Sequence, residues 1–116
     1  MATVAPTIVT LPPSRDHQGV TIHQWACALA ADDYTAVDLP GKADRTVQAS
    51  GTWGGGTIVI EGSIDGTTYK TLTDPQGNAL SFTADAIEAI SENVRYIRPN
   101  PSSNVTSVTV SILFRG

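Results

Sequence analysis

The sequence predicts an all-β chain folded as an antiparallel β-sandwich. Three observations carry that expectation. Val108, Val110, Ile112 and Phe114 alternate with Thr109, Ser111 and Leu113, a period of two that sends one row of side chains to each face of a strand. Turn signals at Pro40-Gly41, Asp65-Gly66 and Asp74-Pro75-Gln76-Gly77-Asn78 punctuate the chain at short intervals. Between them, Thr, Ser, Val and Ile supply a strand vocabulary. At 116 residues the chain makes one domain with a modest core.

In chain order, residues 1–19 read as an extended N-terminal arm and residues 20–116 as the sandwich domain. Pro6, Pro12 and Pro13 interrupt regular pairing in the arm. Val20–Leu29 is apolar enough for a buried strand, with His23 on the face opposite Val20 and Ile22. Residues 32–43 form a loop with a short extended piece at Thr35–Val37. Residues 44–52 read as a strand with Val47 and Ala49 inward. Trp53 leads into Gly54-Gly55-Gly56, a flexible hairpin connection to a strand at Thr57–Gly62. Asp65-Gly66 turns that strand back into Tyr69–Leu72, because Gly accepts positive φ and Asp bonds its own backbone. Ala79–Phe82 is a short strand. Thr83 caps a single helical turn through Ile90, with Asp85 at the positive end of its dipole. Val94–Arg98 is a strand that Pro99 and Pro101 terminate, and Thr106–Phe114 is the last strand.

Charge and cysteine content exclude several classes. The net charge is −4, and the seven Lys and Arg are scattered rather than striped, so no nucleic-acid partner is expected. No run approaches the ~18 apolar residues of a membrane helix. Cys27 is the only cysteine, so the chain makes no internal disulfide and needs no oxidation to fold. No secretory signal is visible, which points to assembly in a cytoplasm. Charged residues make up only 16% of the chain, so part of the surface is expected to be covered by partners.

No motif carries catalysis, and an enzyme is not expected. His17 reads as an arm residue and His23 as a half-buried strand residue. Ser63 sits in Gly-Ser-Ile-Asp-Gly ahead of a hairpin, without the strand–turn–helix setting of a nucleophile elbow. Cys27 lies in an apolar run and reads as a small core hydrophobe. Asp32, Asp33 and Asp38 share a loop, but their spacing misses a calcium loop and they read as a solvated acidic surface. Gly54–Gly56 lacks the Lys-Ser/Thr of a phosphate cradle. Neither metal nor cofactor is expected. Sugar binding is the main alternative, with Trp53, Trp25 and Tyr34 as candidate stacking platforms.

Residues 57–72, TIVIEGSIDGTTYKTL, followed by Val94-Arg95-Tyr96-Ile97-Arg98, resemble the hairpin and Arg-Tyr-hydrophobic-Arg strand of discoidin and galactose-binding sandwiches. The pair is also similar to strands of small virion proteins of tailed bacteriophages. The resemblance implies a jelly-roll-like scaffold in a structural virion protein, most simply a capsid decoration (cement) protein assembled in the host cytoplasm. Its implied partners are the major capsid protein and further copies of itself, as a homotrimer. A carbohydrate-binding module or tail adhesin of the same sandwich class is the alternative. The interface is expected at the arm and two loops: Pro6, Ile8, Val9, Leu11, Pro12, Pro13, Tyr34, Trp53, Gly54 and Gly55.

Overall fold

The computed structural model describes residues 3–11, 20–28, 33–102 and 104–115. Pro12 and Pro13, and Asp32 of the acidic loop, lie outside the described residues. Strands β1 (Thr3–Val4), β2 (Thr7–Leu11), β3 (Val20–Cys27), β4 (Asp33–Tyr34), β5 (Val37–Asp38) and β6 (Asp44–Thr52) make the first half. Strands β7 (Ile58–Ser63), β8 (Lys70–Thr71), β9 (Ser81–Phe82), β10 (Ala86–Ala89), β11 (Tyr96–Pro101) and β12 (Ser107–Arg115) make the second.

These strands form an antiparallel β-sandwich. One sheet has the order β10-β6-β12-β3-β2, and the other β5-β11-β7-β8 with β9 also paired to β7. A small parallel pair, β1 with β4, belongs to neither sheet. β12 is the axis of the first sheet. It pairs with β6 from Ser107↔Thr52 to Arg115↔Asp44 and with β3 from Val108↔Cys27 to Phe114↔Thr21. Its predicted alternation sets the core: Val108, Val110, Ile112 and Phe114 are buried. They join Trp25 and Cys27 of β3, Val47 and Ala49 of β6, and Ile58, Ile60 and Ile97 from the facing sheet in one cluster. Each large aliphatic side chain buried this way stabilises by about 1.5–3 kcal/mol.

Four expectations change. The helical turn over Thr83–Ile90 is instead β10, which pairs with β6 from Ala86↔Ala49 to Ala89↔Thr46. Asp85 does not cap a helix. It accepts hydrogen bonds from the Gly51 amide (3.1 Å) and the Trp53 indole (2.8 Å), and so fixes the approach to β10 along the end of β6. Pro99 and Pro101 do not end the Val94–Arg98 strand but lie within β11. Ser102 N–H donates to Thr57 O (2.7 Å), which sets the parity: alternate residues Asn100 and Arg98 face β7, and the two prolines face away. That side is paired to β5 only at Tyr96 and Ile97, so the missing proline donors disrupt no ladder.

The Gly54–Gly56 segment does not join paired strands. β6 and β7 belong to opposite sheets, so it is a corner between layers. Gly56 N–H bonds Trp53 O at 2.8 Å, with Gly54 at φ +60° and Gly55 at φ +79°. A turn with both central residues at positive φ favours glycine at each. Finally, the N-terminal segment is extended but does not stand away from the domain. Thr7–Leu11 is the outer strand of the first sheet, paired with β3 from Thr7↔Gln24 to Leu11↔Val20. Val4 packs against the core, and its carbonyl accepts from Thr35 N–H (2.9 Å). A β-branched stretch without charge pairs readily along an available strand edge.

Arg45 closes one end of the sandwich. It alternates in phase with Val47 and Ala49, so β6 turns its side chain inward, where it is 2% exposed. The guanidinium donates to three backbone carbonyls: Nε to Lys42 O (2.6 Å), Nη2 to Leu39 O (2.9 Å) and Nη1 to Glu92 O (3.4 Å). It also stands 5.7 Å from the Phe114 ring centroid. Burial lowers its pKa from the usual value, and the planar fork lets one side chain gather carbonyls from two loops. Arg45→Met keeps the stem but leaves those carbonyls without their donor. It is expected to cost about 3 kcal/mol, read as a lower urea midpoint with an unchanged slope.

Candidate functional site

The structure gathers one part of the expected interface and disperses the rest. Ile8, Val9 and Leu11 lie together on β2, exposed by 58%, 44% and 40%. The pairing register places Ile8 opposite His23 and Val9 opposite Ile22, so they occupy opposite faces of the sheet, with Leu11 on the face of Val9. Pro6 is half-buried just before the strand. No charged residue occurs between Thr3 and Leu11. β2 is therefore an uncharged edge strand that shows apolar side chains on both faces.

Tyr34 belongs to the interior instead. It is 5% exposed, and its hydroxyl accepts from Ala28 N–H at 3.2 Å. Trp25 is fully buried, with its indole donating to Thr35 O at 2.9 Å. Neither ring can stack on a sugar. Trp53 is half-buried against the core and held by Asp85. Gly54 and Gly55 lie beside it in the corner turn, away from β2 in sequence and in role. Hydrogen bonds from Trp53 and from the Gly51 amide hold the Asp85 carboxyl below its usual pKa.

The motifs behind the family resemblance serve the fold. Asp65 Oδ1 accepts from Thr68 N–H (2.9 Å), Thr67 N–H (2.8 Å) and Ser63 Oγ (2.9 Å), and these bonds pull its pKa down to about 2. Gly66 N–H donates to Ser63 Oγ, so the Ser-Ile-Asp-Gly stretch is a self-bonded turn. Arg95 forms a two-pronged pair with Asp38 (3.0 and 3.2 Å) at the exposed surface, where such pairs contribute little. That pairing occupies the Asp38 carboxylate of the acidic loop. Arg98 lies on the other face, 3.2 Å from Glu61 and 3.6 Å from the Tyr69 ring centroid. Glu61 also accepts from Asn100 Nδ2 (3.1 Å).

Concave regions remain on the surface, one of about 440 Å³ beside the Ser63–Asp65 turn, with Ile64, Leu72 and Val94 in its lining. A groove of about 470 Å³ crosses the outer face of the β10-β6-β12-β3-β2 sheet, where Gln24, Thr46, Gln48 and Ser111 present amides and hydroxyls beside Ile22 and Leu113. Gln24 Nε2 donates to Ser111 Oγ at 3.1 Å across β3 and β12. The sequence showed Ile22 as apolar but not that it faces outward. A further cavity of about 340 Å³ lies between β2 and the Thr35–Leu39 loop, lined by Pro6, Ile8, His23, Val37 and Asp38 among others.

His23 is more buried than expected. It shares the inner face with Trp25, is 6% exposed, and sets its ring 5.3 Å from Phe114 in an edge-to-face contact. Its Nδ1 has no hydrogen-bond partner among the described residues. Cys27 is buried as expected, with burial pushing its thiol up to about 12. Among the described residues, no three His, Cys, Asp or Glu side chains gather in a way that could hold a metal ion. No protein-family model matches the chain, and no curated protein matches it in sequence.

Burial lowers the His23 pKa below 6.5. The unfolded chain then takes up a proton near 6.5, and the folded chain only at lower pH. Between those values the unfolded state holds more protons, so the His23 contribution to stability falls as pH drops below about 6.5 and is constant above it. Urea midpoints at about pH 5 and about pH 8 test this, with the acid midpoint lower in wild type and the difference reduced in His23→Leu.

Proposed function

We propose that this chain is a structural virion protein of a tailed bacteriophage, most simply a decoration protein on the outer head lattice. The observation that carries the reading is β2, an uncharged edge strand that exposes Ile8, Val9 and Leu11. Exposed apolar side chains clustered on one strand mark a surface that meets another protein. The sandwich behind it is a rigid mount. Arg45, Asp65 and Glu92 use their polar groups to hold loops: Glu92 accepts from both the amide and hydroxyl of Thr73 (2.8 and 2.5 Å). On a symmetric shell, each copy needs only a small contact with the major capsid protein, because repeated placement of homo-oligomers supplies avidity.

Cosedimentation with expanded shells of the encoding phage's major capsid protein tests the reading. Bound chain is expected, together with shells that resist heating better. Leu11→Asp is expected to weaken binding by about tenfold or more, since it places charge on the strand face that carries Val9 and Leu11. Absence of binding to shells defeats the proposal.

A second reading, a carbohydrate-binding module or tail adhesin, draws support from the groove lined by Gln24, Gln48, Thr46 and Ser111, whose amides and hydroxyls match sugar hydroxyls in kind. A glycan array separates the two. Binding to a defined glycan that Gln48→Ala abolishes favours the adhesin.

A further inference from the structure

We infer that β2 pairs with β2 of a second copy of this chain, antiparallel and about a two-fold axis at Val9, joining two five-stranded sheets into one continuous sheet. The inference stands on the strand itself and is independent of what else the protein binds.

β2 is the end of its sheet, so one row of its backbone N–H and C=O groups has no strand partner among the described residues. Such a row is a template for another strand, and proteins ordinarily guard it with charge, proline or brevity. The other open edges here are guarded in those ways. β5 and β8 are two residues long and carry Asp38 and Lys70. β10 carries Glu88. Among the described edge strands, β2 alone is five residues long with neither charge nor proline, and three of its five side chains are large, apolar and exposed.

The occupant follows from the pattern of Thr7-Ile8-Val9-Thr10-Leu11. Run antiparallel against itself about Val9, the strand sets Val9 opposite Val9, Ile8 opposite Thr10 and Thr7 opposite Leu11. Each pair is apolar on apolar, or apolar beside a threonine methyl, with no like charges opposed. The register serves whichever set of amides points outward, because residue 9 meets itself either as a bonded or as a non-bonded pair. A single self-complementary patch closes at two copies. It uses the edge of β2 and leaves both faces of the strand accessible for a shell. It differs from the three-fold grouping implied by the family resemblance.

Sedimentation of the full chain should give twice the 12.2 kDa monomer mass. Val9→Lys and Val9→Glu chains should each run as monomers, and an equal mixture should recover the doubled mass, because only that mixture sets Lys opposite Glu. Oxidation adds a readout that tolerates weak pairing. Val9→Cys should crosslink, since opposed residues lie about 4.5–5.5 Å apart, within disulfide reach. Ile8→Cys should not, because its opposite residue is Thr10, and buried Cys27 stays silent in both. A wild-type monomer whose Val9→Cys form does not crosslink would overturn the inference. So would a dimer or trimer that Val9→Lys leaves intact, or equal crosslinking at residues 8 and 9.

Discussion

The structure depends on β12 being paired along both sides while its inward row fills the core. A strand in that position has no free backbone edge and one fully buried face. Its neighbours β6 and β3 therefore take their register from it, and a slip of one residue would turn Val110 and Ile112 out to water. The consequence spreads outward. β10 and β2 can only be added at the margins, and the sheet's chemistry with other molecules is confined to its edges and outer face.

Polar groups hold the rest of the sandwich in place, and most act through the backbone. Arg45 gathers carbonyls of Leu39, Lys42 and Glu92, while the Glu92 carboxylate receives Thr73. Asp74 closes its own turn by accepting from Gln76 and Asn78 amides (3.0 and 2.9 Å). Side chains that would suggest a reactive centre if read alone are thus engaged in loop geometry. The buried imidazole of His23 is not, because it meets Phe114 in an edge-to-face contact and its Nδ1 has no partner among the described residues.

Much of this was legible in the sequence wherever a period of two ran long enough to declare itself. The strands at residues 44–52 and 106–114 follow from alternation, and the Asp65-Gly66 turn from its chemistry. Ala86–Ala89 was not legible as a strand. Alanine and glutamate favour helices, and only pairing beside β6 makes the segment extended. Pro99 and Pro101 misled for a related reason: a proline ends a ladder only if its nitrogen faces a partner, and parity is a property of the sheet. For the surface, Ile8, Val9, Leu11 and Tyr34 all read alike as candidate contact residues in the sequence, and only the fold separates the first three, which are exposed, from Tyr34, which is core. Arg45 gave one usable signal, its phase with Val47 and Ala49, which places a cation on the inward face.

The two tryptophans occupy unlike surroundings, and this gives the protein a built-in pair of optical reporters. Trp25 is sealed in the core with its indole N–H on a carbonyl, so its emission belongs at short wavelength and responds to loss of the inter-sheet packing. Trp53 sits half-exposed at the corner where the chain passes between layers, its indole N–H on the Asp85 carboxylate. Its emission responds first to that corner, because its ring borders the core cluster and is not sealed inside it. Excitation of the unlabelled chain thus follows the interior and the crossover separately, and distinguishes opening of the β6–β7 corner from collapse of the whole sandwich.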